Sequence, residues 1–222
     1  MDAPATVLLD ELDAANRRLE TAAPSEIIQW SIERFSGNVA MACSFEDLVL
    51  VDLAVTCEPG IEVIFLDTGF HFPETLEFAH RFCEQRGVNL TTTTPPPEAE
   101  AWPCGTARCC ELRKVVPLAG ALEGRDAWLT ALKRVDAPTR VNVPIVSWDE
   151  RFGLVKCNPL ATWTDDDIAY YLRDKGLESH PLWERGYASI GCAPVTRPVA
   201  PGESRRAGRW SDSDKEECGL HG

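Results

Sequence analysis

Residues 39–47 read VAMACSFED, and residues 63–69 read VIFLDTG. Each stretch begins with a short apolar run of the kind found in buried strands and ends in small and polar residues. A helical pattern follows each one, ending near Glu58 after the first and running from Pro73 toward Arg86 after the second. Strand, helix, strand and helix at this spacing predict an α/β fold, a parallel sheet with helices on both faces.

The rest of the chain extends this pattern. The first thirty-odd residues predict two helices, residues 91–97 a loop, residues 110–122 a helix and residues 127–132 a strand. Thr164 followed by three aspartates predicts the capped start of another helix, because carboxylates in a first turn complement the helix dipole. A metal site at these aspartates is the less favoured interpretation. We predict a single α/β domain over residues 1–200 and a flexible C-terminal arm over residues 201–222.

The charge of the chain argues against some function classes. With 222 residues and a net charge of -13, a general nucleic-acid or membrane-surface binder is not expected. Yet residues 105–140 hold seven basic and four acidic residues, and residues 197–209 hold four basic and one acidic residue. Two locally basic segments in so acidic a chain predict a site for a small anion, the alternative being solvated helix faces.

Turns after the two strands supply candidates for phosphate binding. Ser44 and Thr68 offer hydroxyl groups, and Gly69 permits close approach of a ligand to the backbone. Ligands of open parallel sheets bind beyond the carboxyl ends of the strands, where backbone N–H groups and helix N-termini are exposed. Many such turns bind nothing, so a nucleotide site and a plain turn both stay open on this evidence.

The nine cysteines carry a sharper signal. An odd number, in a chain whose sequence shows no export signal or membrane span, favours a reducing cytoplasm where thiols act as ligands or nucleophiles. Adjacent Cys109 and Cys110 seldom pair with each other but can bind one metal centre, and Cys192 follows Cys110 by 82 residues. Zinc sites more often show two Cys-x-x-Cys units, so the pattern favours an iron–sulfur cluster.

The other cysteines divide by their surroundings. Cys43, Cys57, Cys83 and Cys157 lie in or beside apolar segments, where buried free cysteine is ordinary. Cys218 lies in the polar tail and has no core to join. A mobile thiol that closes over an anion pocket suits a nucleophile. Its neighbours Lys215 and His221 favour the thiolate, whereas Glu216 and Glu217 oppose it.

Taken together, these segments resemble the assimilatory adenylyl-sulfate reductases, relatives of the phosphoadenylyl-sulfate reductases in the ATP-pyrophosphatase-like (adenine nucleotide alpha hydrolase-like) α/β group. The resemblance runs from about Val39 to the C-terminus. The motifs that carry it are Leu66 to Gly69, Cys109-Cys110 with Arg113-Lys114 and Pro117-Leu118, Lys133-Arg134 with Thr139-Arg140, Asn158 to Leu160, Gly186 to Thr196, Arg206 to Trp210, and Glu217 to His221.

The resemblance implies reduction of adenosine 5'-phosphosulfate to sulfite and AMP in sulfate assimilation. Cys218 would attack the sulfate sulfur, and thioredoxin or a similar dithiol protein would resolve the resulting S-sulfonate. Cations are needed because a sulfuryl group is poorly electrophilic while its oxygens keep their charge. The residues that would bind the nucleotide or neutralise charge are Lys114, Arg206, Arg209, Arg140, Ser44, Leu66 and Thr68.

The resemblance also implies a [4Fe-4S] cluster held by a cysteine pair and a later Cys-x-x-Cys. Cys109, Cys110 and Cys192 match three ligands, but Val195 stands at the fourth position and valine cannot coordinate iron. Three alternatives stay open: a cluster with an open or externally ligated iron, a substitute ligand such as Cys104, or loss of the cluster.

Two other functions stay open as well. One is reduction of the 3'-phosphorylated substrate, phosphoadenylyl sulfate, although reductases of that kind lack the cluster and usually both cysteine pairs. The other is an impaired iron–sulfur or zinc-binding regulator with the same fold. The sequence does not decide whether the protein forms a homo-oligomer.

Overall fold

A mixed six-stranded sheet, in the order β3-β2-β1-β4-β6-β5, forms the centre of the molecule. The computed structural model describes residues 6–211, 215 and 217–220. Its strands are β1 (Val39–Cys43), β2 (Glu62–Leu66), β3 (Leu90–Thr93), β4 (Ala127–Leu129), β5 (Val146–Asp149) and β6 (Leu154–Cys157). Its α-helices are α1 (Thr6–Leu19), α2 (Pro24–Arg34), α3 (Val49–Cys57), α4 (Pro73–Arg86), α5 (Ala107–Cys110), α6 (Val116–Ala121) and α7 (Asp165–Lys175).

Alternating side chains of the strands separate two cores. Met41 and Val63 belong to the larger core, which also contains residues of α1 to α4 and α7. Ala40 and Ile64, their chain neighbours, point to the opposite face and pack with Leu118 of α6. The prediction of a sheet with helices on both faces is therefore confirmed. None of the described helices has the length and apolar character that crossing a membrane requires.

The start of α7 has the capping arrangement that the sequence predicts. The Thr164 hydroxyl accepts a hydrogen bond from the Asp167 N–H at 3.2 Å, and the Asp167 carboxylate accepts one from the Thr164 N–H at 2.8 Å. This reciprocal pair satisfies two N–H groups that the helix cannot bond internally. Asp167 thus serves the end of a helix, as expected.

Three features of the sheet differ from the expectation. The run predicted to be a loop begins with β3, whose residues pair in parallel with β2, from Val63 beside Leu90 to Leu66 beside Thr93. Threonine is β-branched and suits a strand, whereas the prolines that follow end it. The hairpin of β5 and β6 was not predicted, because four-residue strands carry little periodic signal, and β5 runs antiparallel to β6. The predicted strand at residues 127–132 ends at Leu129.

The predicted helix at residues 110–122 is a helical stretch with a wider turn inside it. A π-helical segment, Glu111–Val115, separates α5 from α6. Pro117 has no N–H to donate to the carbonyl of Arg113, so an α-type hydrogen bond is missing at this point. Widened turns of this kind often occur at functional sites, and Lys114 lies on this one.

Candidate active site

A cleft of about 1240 Å³ opens where β1, β2 and β4 end at their carboxyl sides. We call it the strand-end cleft. It brings together seven of the eight residues predicted to bind or transform the substrate: Ser44, Leu66, Thr68, Lys114, Arg140, Arg209 and Cys218. The eighth, Arg206, contacts Glu217 beside the cleft. A side chain from the C-terminal arm therefore lies among residues that the sheet positions.

A buried arginine, Arg113, stabilises the turn that follows β2. Arg113 donates a hydrogen bond from Nη1 to the Thr68 carbonyl oxygen at 2.7 Å, and its guanidinium lies 4.3 Å from the centre of the Phe70 ring. Gly69 has φ +70°, a conformation that L side chains rarely adopt. The Thr68 hydroxyl accepts a hydrogen bond from the Phe70 N–H at 3.2 Å. These contacts fix the turn that borders the cleft.

Two arginines beside the cleft bind a carboxylate of the arm. Arg140 donates to both oxygens of Glu217, at 2.8 Å from Nε and 2.7 Å from Nη2. Arg206 donates to the same carboxylate at 3.4 Å. Burial opposes the charge of Glu217, but Arg140 outweighs it and lowers the pKa of this carboxyl. The arginine pair therefore already binds a planar anion in this structure.

The Cys218 thiol lies in an electropositive environment. Burial opposes ionisation, but Lys114, the Leu220 N–H and Arg209 outweigh it, so the pKa of Cys218 lies below its usual value. Burial also opposes the charge on Lys114, which the facing Cys218 and other thiols overcome, and the pKa of this lysine is raised. Cation and thiolate stabilise each other across the cleft.

A second and smaller cavity, of about 280 Å³, adjoins the cleft. We call it the cysteine cavity. The three predicted metal ligands, Cys109, Cys110 and Cys192, line it. A fourth cysteine, Cys104, lines it too, and so does Val195, which replaces the expected fourth ligand. Lys114, Arg209 and Cys192 line both the cleft and the cavity. Any group bound in the smaller cavity would thus act on the larger one through these side chains.

Hydrogen bonds connect the thiols of the cysteine cavity to their surroundings. Lys215 Nζ lies 2.9 Å from the Cys110 sulfur, and the Cys192 sulfur lies 3.7 Å from the Thr68 hydroxyl. The neighbouring Cys104 and Lys114 both lower the pKa of Cys192. Among the described residues, no group of three or more His, Cys, Asp or Glu side chains is placed to hold a single metal ion.

Of the four cysteines expected in the core, two lie in it and two are partly buried against it, Cys43 at the edge of the strand-end cleft. Cys83 and Cys157 are buried members of the larger core, and Cys43 and Cys57 pack against it. Burial raises the pKa of Cys83 to about 11 and that of Cys157 to about 12, so both stay thiols near neutral pH. All nine cysteines are free. His221, the last residue of the predicted tail motif, and Glu216 lie outside the described residues.

Some residues of the cleft were not predicted as site residues, although Lys133 belongs to one of the motifs that carry the resemblance. Lys133 lines the cleft after β4 and is bonded to Asp136 at 2.6 Å, while Arg205 reaches the cleft from the arm and pairs with Glu46 at 2.8 Å. His71 also lines it. Lys133 could have been predicted as a site residue, because it follows a predicted strand and ligands bind beyond the carboxyl ends of such strands. Arg205 was not, because its position depends on how the aperiodic arm folds back.

Comparison with known proteins assigns the family. A model of the phosphoadenosine phosphosulfate reductase domain matches residues 38–198. The chain belongs to this reductase family. The adenosine 5'-phosphosulfate reductase of Mycolicibacterium smegmatis is 44% identical over 91% of this chain and 90% of its own length. That of Streptomyces coelicolor is 44% identical over 95% of this chain and 93% of its own length.

Solved structures agree on the fold of this reductase family. Phosphoadenylyl-sulfate reductase from Candida auris superposes with a TM-score of 0.75 at 24% identity, over 88% of this chain and 99% of its own. FMN adenylyltransferase from Candida glabrata gives 0.63 at 15% identity, over 97% of this chain and 78% of its own. The expected ATP-pyrophosphatase-like, or adenine nucleotide alpha hydrolase-like, fold is thereby confirmed. At these identities the structural likeness speaks for the fold alone.

Proposed function

We propose that the protein reduces adenosine 5'-phosphosulfate to sulfite and AMP, through a Cys218 S-sulfonate that thioredoxin or a similar dithiol protein resolves. One observation carries the proposal: a cysteine from the C-terminal arm lies in the same cleft as Lys114 and Arg209. The names of the relatives that cover most of the chain support this substrate. The free state of all nine cysteines supports the cytoplasm as its compartment.

The strand-end cleft would receive the nucleotide. Ser44 and Thr68 lie at the carboxyl ends of β1 and β2, where a parallel sheet presents hydroxyl and N–H groups to phosphate. Arg140 and Arg206 hold the Glu217 carboxylate by the fork geometry that also suits phosphate and sulfate oxygens. The substrate would compete with Glu217 for this arginine pair. Arg209 and Lys114 would neutralise the transferring group.

The proposed reaction uses a thiolate twice. The Cys218 sulfur attacks the sulfate sulfur, the bond from that sulfur to the phosphate oxygen breaks, and AMP leaves with the electron pair. One thiolate of the dithiol protein then attacks the Cys218 sulfur, and sulfite leaves with the electrons of the S–S bond. The second thiol of that protein closes its own disulfide and regenerates the Cys218 thiol. Two electrons pass from the dithiol protein to the sulfur of sulfite.

We also propose that the cysteine cavity holds a [4Fe-4S] cluster on Cys109, Cys110 and Cys192. Soft thiolate sulfur is the donor that such clusters use, and these three thiols line one cavity. The residues present therefore fit the group. When bound, it would supply a local charge beside Lys114.

The test is sulfite formation by the purified chain with thioredoxin, a reductant and either adenosine 5'-phosphosulfate or its 3'-phosphorylated form. We expect turnover of the first nucleotide. Cys218→Ser should lower sulfite formation at least about 1000-fold, because it removes the nucleophile. Cys57→Ser is the matched control, since Cys57 packs against the core away from the cleft, and it should keep full activity.

The other outcomes decide against the proposal in distinct ways. A strong preference for the 3'-phosphorylated nucleotide would reassign the substrate. Equal activity of the wild type and Cys218→Ser would remove the S-sulfonate step. No sulfite from either nucleotide, with stoichiometric zinc and no iron or sulfide, would favour a regulator that retains the fold.

A further inference from the structure

The cysteine cavity contains one more thiol than the family pattern supplies at this point. Cys104 precedes Cys109 by five residues and lines the same small cavity as Cys109, Cys110 and Cys192. It is only partly buried, whereas the other three are buried. Four thiols thus line one cavity, although this chain has a valine at position 195, where the family pattern has a cysteine.

The loop that carries Cys104 lies directly against Val195, the residue that stands where the family pattern has its fourth cysteine. A Cβ placed on Gly105 would stand 3.0 Å from Val195 Cγ1, so the backbone beside Cys104 touches the side chain that replaces the expected ligand. Gly105 has φ +94°, which lets the chain turn sharply there. Cys104, Gly105 and Val195 line the same cavity, so this loop supplies a thiol to a cavity in which valine has no donor atom to offer.

A fourth cysteine donor would complete the ligand set of the proposed cluster. A [4Fe-4S] cluster has one thiolate for each iron, and three cysteines leave one iron to water or an external ligand. Valine offers only methyl groups. A thiolate is the soft donor that matches the other three, and it loses its proton to solvent on binding iron. Cys104 is the cysteine beside Val195 that the other assignments leave unused.

We propose that Cys104 is the fourth cluster ligand of this chain and takes the place of a cysteine at position 195. The proposal rests on the cluster named under the proposed function. In the family pattern the fourth cysteine follows Cys192, whereas in this chain it would be in the loop before Cys109. The cavity would still supply four thiolates. Lys215 donates to the Gly105 carbonyl oxygen at 2.9 Å, which links the C-terminal arm to the same loop.

The test is anaerobic reconstitution of the full chain with ferrous iron, sulfide and dithiothreitol, followed by iron and sulfide analysis, visible absorbance and electron paramagnetic resonance. The wild type should bind about four iron atoms per chain. Cys104→Ser should bind about three, or lose the cluster, with a changed spectrum. Cys104→Ser combined with Val195→Cys should regain the wild-type content. Cys57→Ser serves as the matched control and should behave as the wild type.

Alkylation provides a second measurement that does not depend on the spectrum. Cys104 should react with iodoacetamide in the cluster-free chain and be protected about tenfold or more after reconstitution, as expected of a thiol engaged by metal. Full iron content and unchanged spectra in Cys104→Ser would overturn the proposal. A Cys104–Cys192 disulfide in anaerobically prepared wild type that binds no iron would overturn it too.

These measurements separate the ligand proposal from the reductase proposal. Sulfite formation is assayed on the same samples but does not enter the judgement on ligation. Loss of iron in Cys104→Ser and its return with Val195→Cys support Cys104 as a ligand even if neither nucleotide yields sulfite. If the wild-type enzyme is active and Cys104→Ser has the same iron content, the reductase proposal stands and the proposal that Cys104 is a ligand is refuted.

Discussion

The strand-end cleft and the cysteine cavity are neighbours built in opposite ways. The cleft opens at the ends of parallel strands, so the sheet itself positions Ser44 and Thr68. The cysteine cavity is lined by a short helix start, an irregular loop and the segment after Ile190, none of which belongs to the sheet. Lys114, Arg209 and Cys192 line both. The contrast indicates that the fold supplies the proposed anion site, whereas a few irregular positions bring the thiols together.

After loss of the nucleophile itself, removal of the shared lysine should have the largest effect, because Lys114 lines both cavities. In Lys114→Met we expect kcat to fall about 100-fold, since the variant loses the cation that we propose neutralises the transferring group. Lys114 lowers the pKa of Cys218, so its loss should raise that pKa. The thiolate would then form only at higher pH. The pH dependence of iodoacetamide reaction at Cys218 measures this shift.

Lys175→Met is the control for that variant. Lys175 is a partly exposed lysine at the end of α7 and pairs with Asp174 at 3.8 Å, away from both cavities. It should leave kcat and the alkylation profile of Cys218 unchanged. An unchanged pH midpoint in Lys114→Met would mean that Lys114 does not govern the thiol, and the two cavities would then be electrostatically separate.

The same contrast explains how far the sequence predicts this molecule. Buried strands such as Val39–Cys43 and the cap at Thr164 follow from local pattern, because burial and capping act on residues close in the chain. Cys104 and Cys192 line one cavity although they are far apart in sequence and lie in aperiodic segments, so the local pattern could not predict that they meet. Short strands such as Leu90–Thr93 depend on pairing with a neighbour. Their local signal was weaker than that of the prolines beside them.

A smaller loss of activity is expected from a substitution at Gly191, whose backbone packs against the Arg209 guanidinium. A Cβ on Gly191 would stand 2.2 Å from Arg209 Nη2 and 2.4 Å from its Cζ. Gly191→Ala should therefore displace this guanidinium, which also donates to the Ile190 carbonyl oxygen at 3.0 Å. We expect kcat/KM to fall about tenfold, the effect of one charge-assisted hydrogen bond. Steady-state kinetics with adenosine 5'-phosphosulfate measures it.

Gly120→Ala is the matched substitution elsewhere. A Cβ on Gly120, in α6, meets nothing within 4 Å, so this variant should keep its activity. Unchanged kcat/KM in Gly191→Ala, with the chain folded, would show that the position of Arg209 does not matter to the substrate. Loss of folding in Gly191→Ala would instead assign this glycine to the framework.

The smallest effect should come from the framework alone. Thr164→Ala removes the hydroxyl that accepts the Asp167 N–H at the start of α7, and should lower the free energy of unfolding by about 1 kcal/mol. Because α7 buries Ile168 and Leu172 in the core and Thr164 lines neither cavity, kcat/KM and iron content should not change. Urea unfolding beside the kinetic assay checks both, with exposed Thr162→Ala as the control. A fall in activity or iron content larger than the loss of folded protein would mean that the helix end helps to position the site.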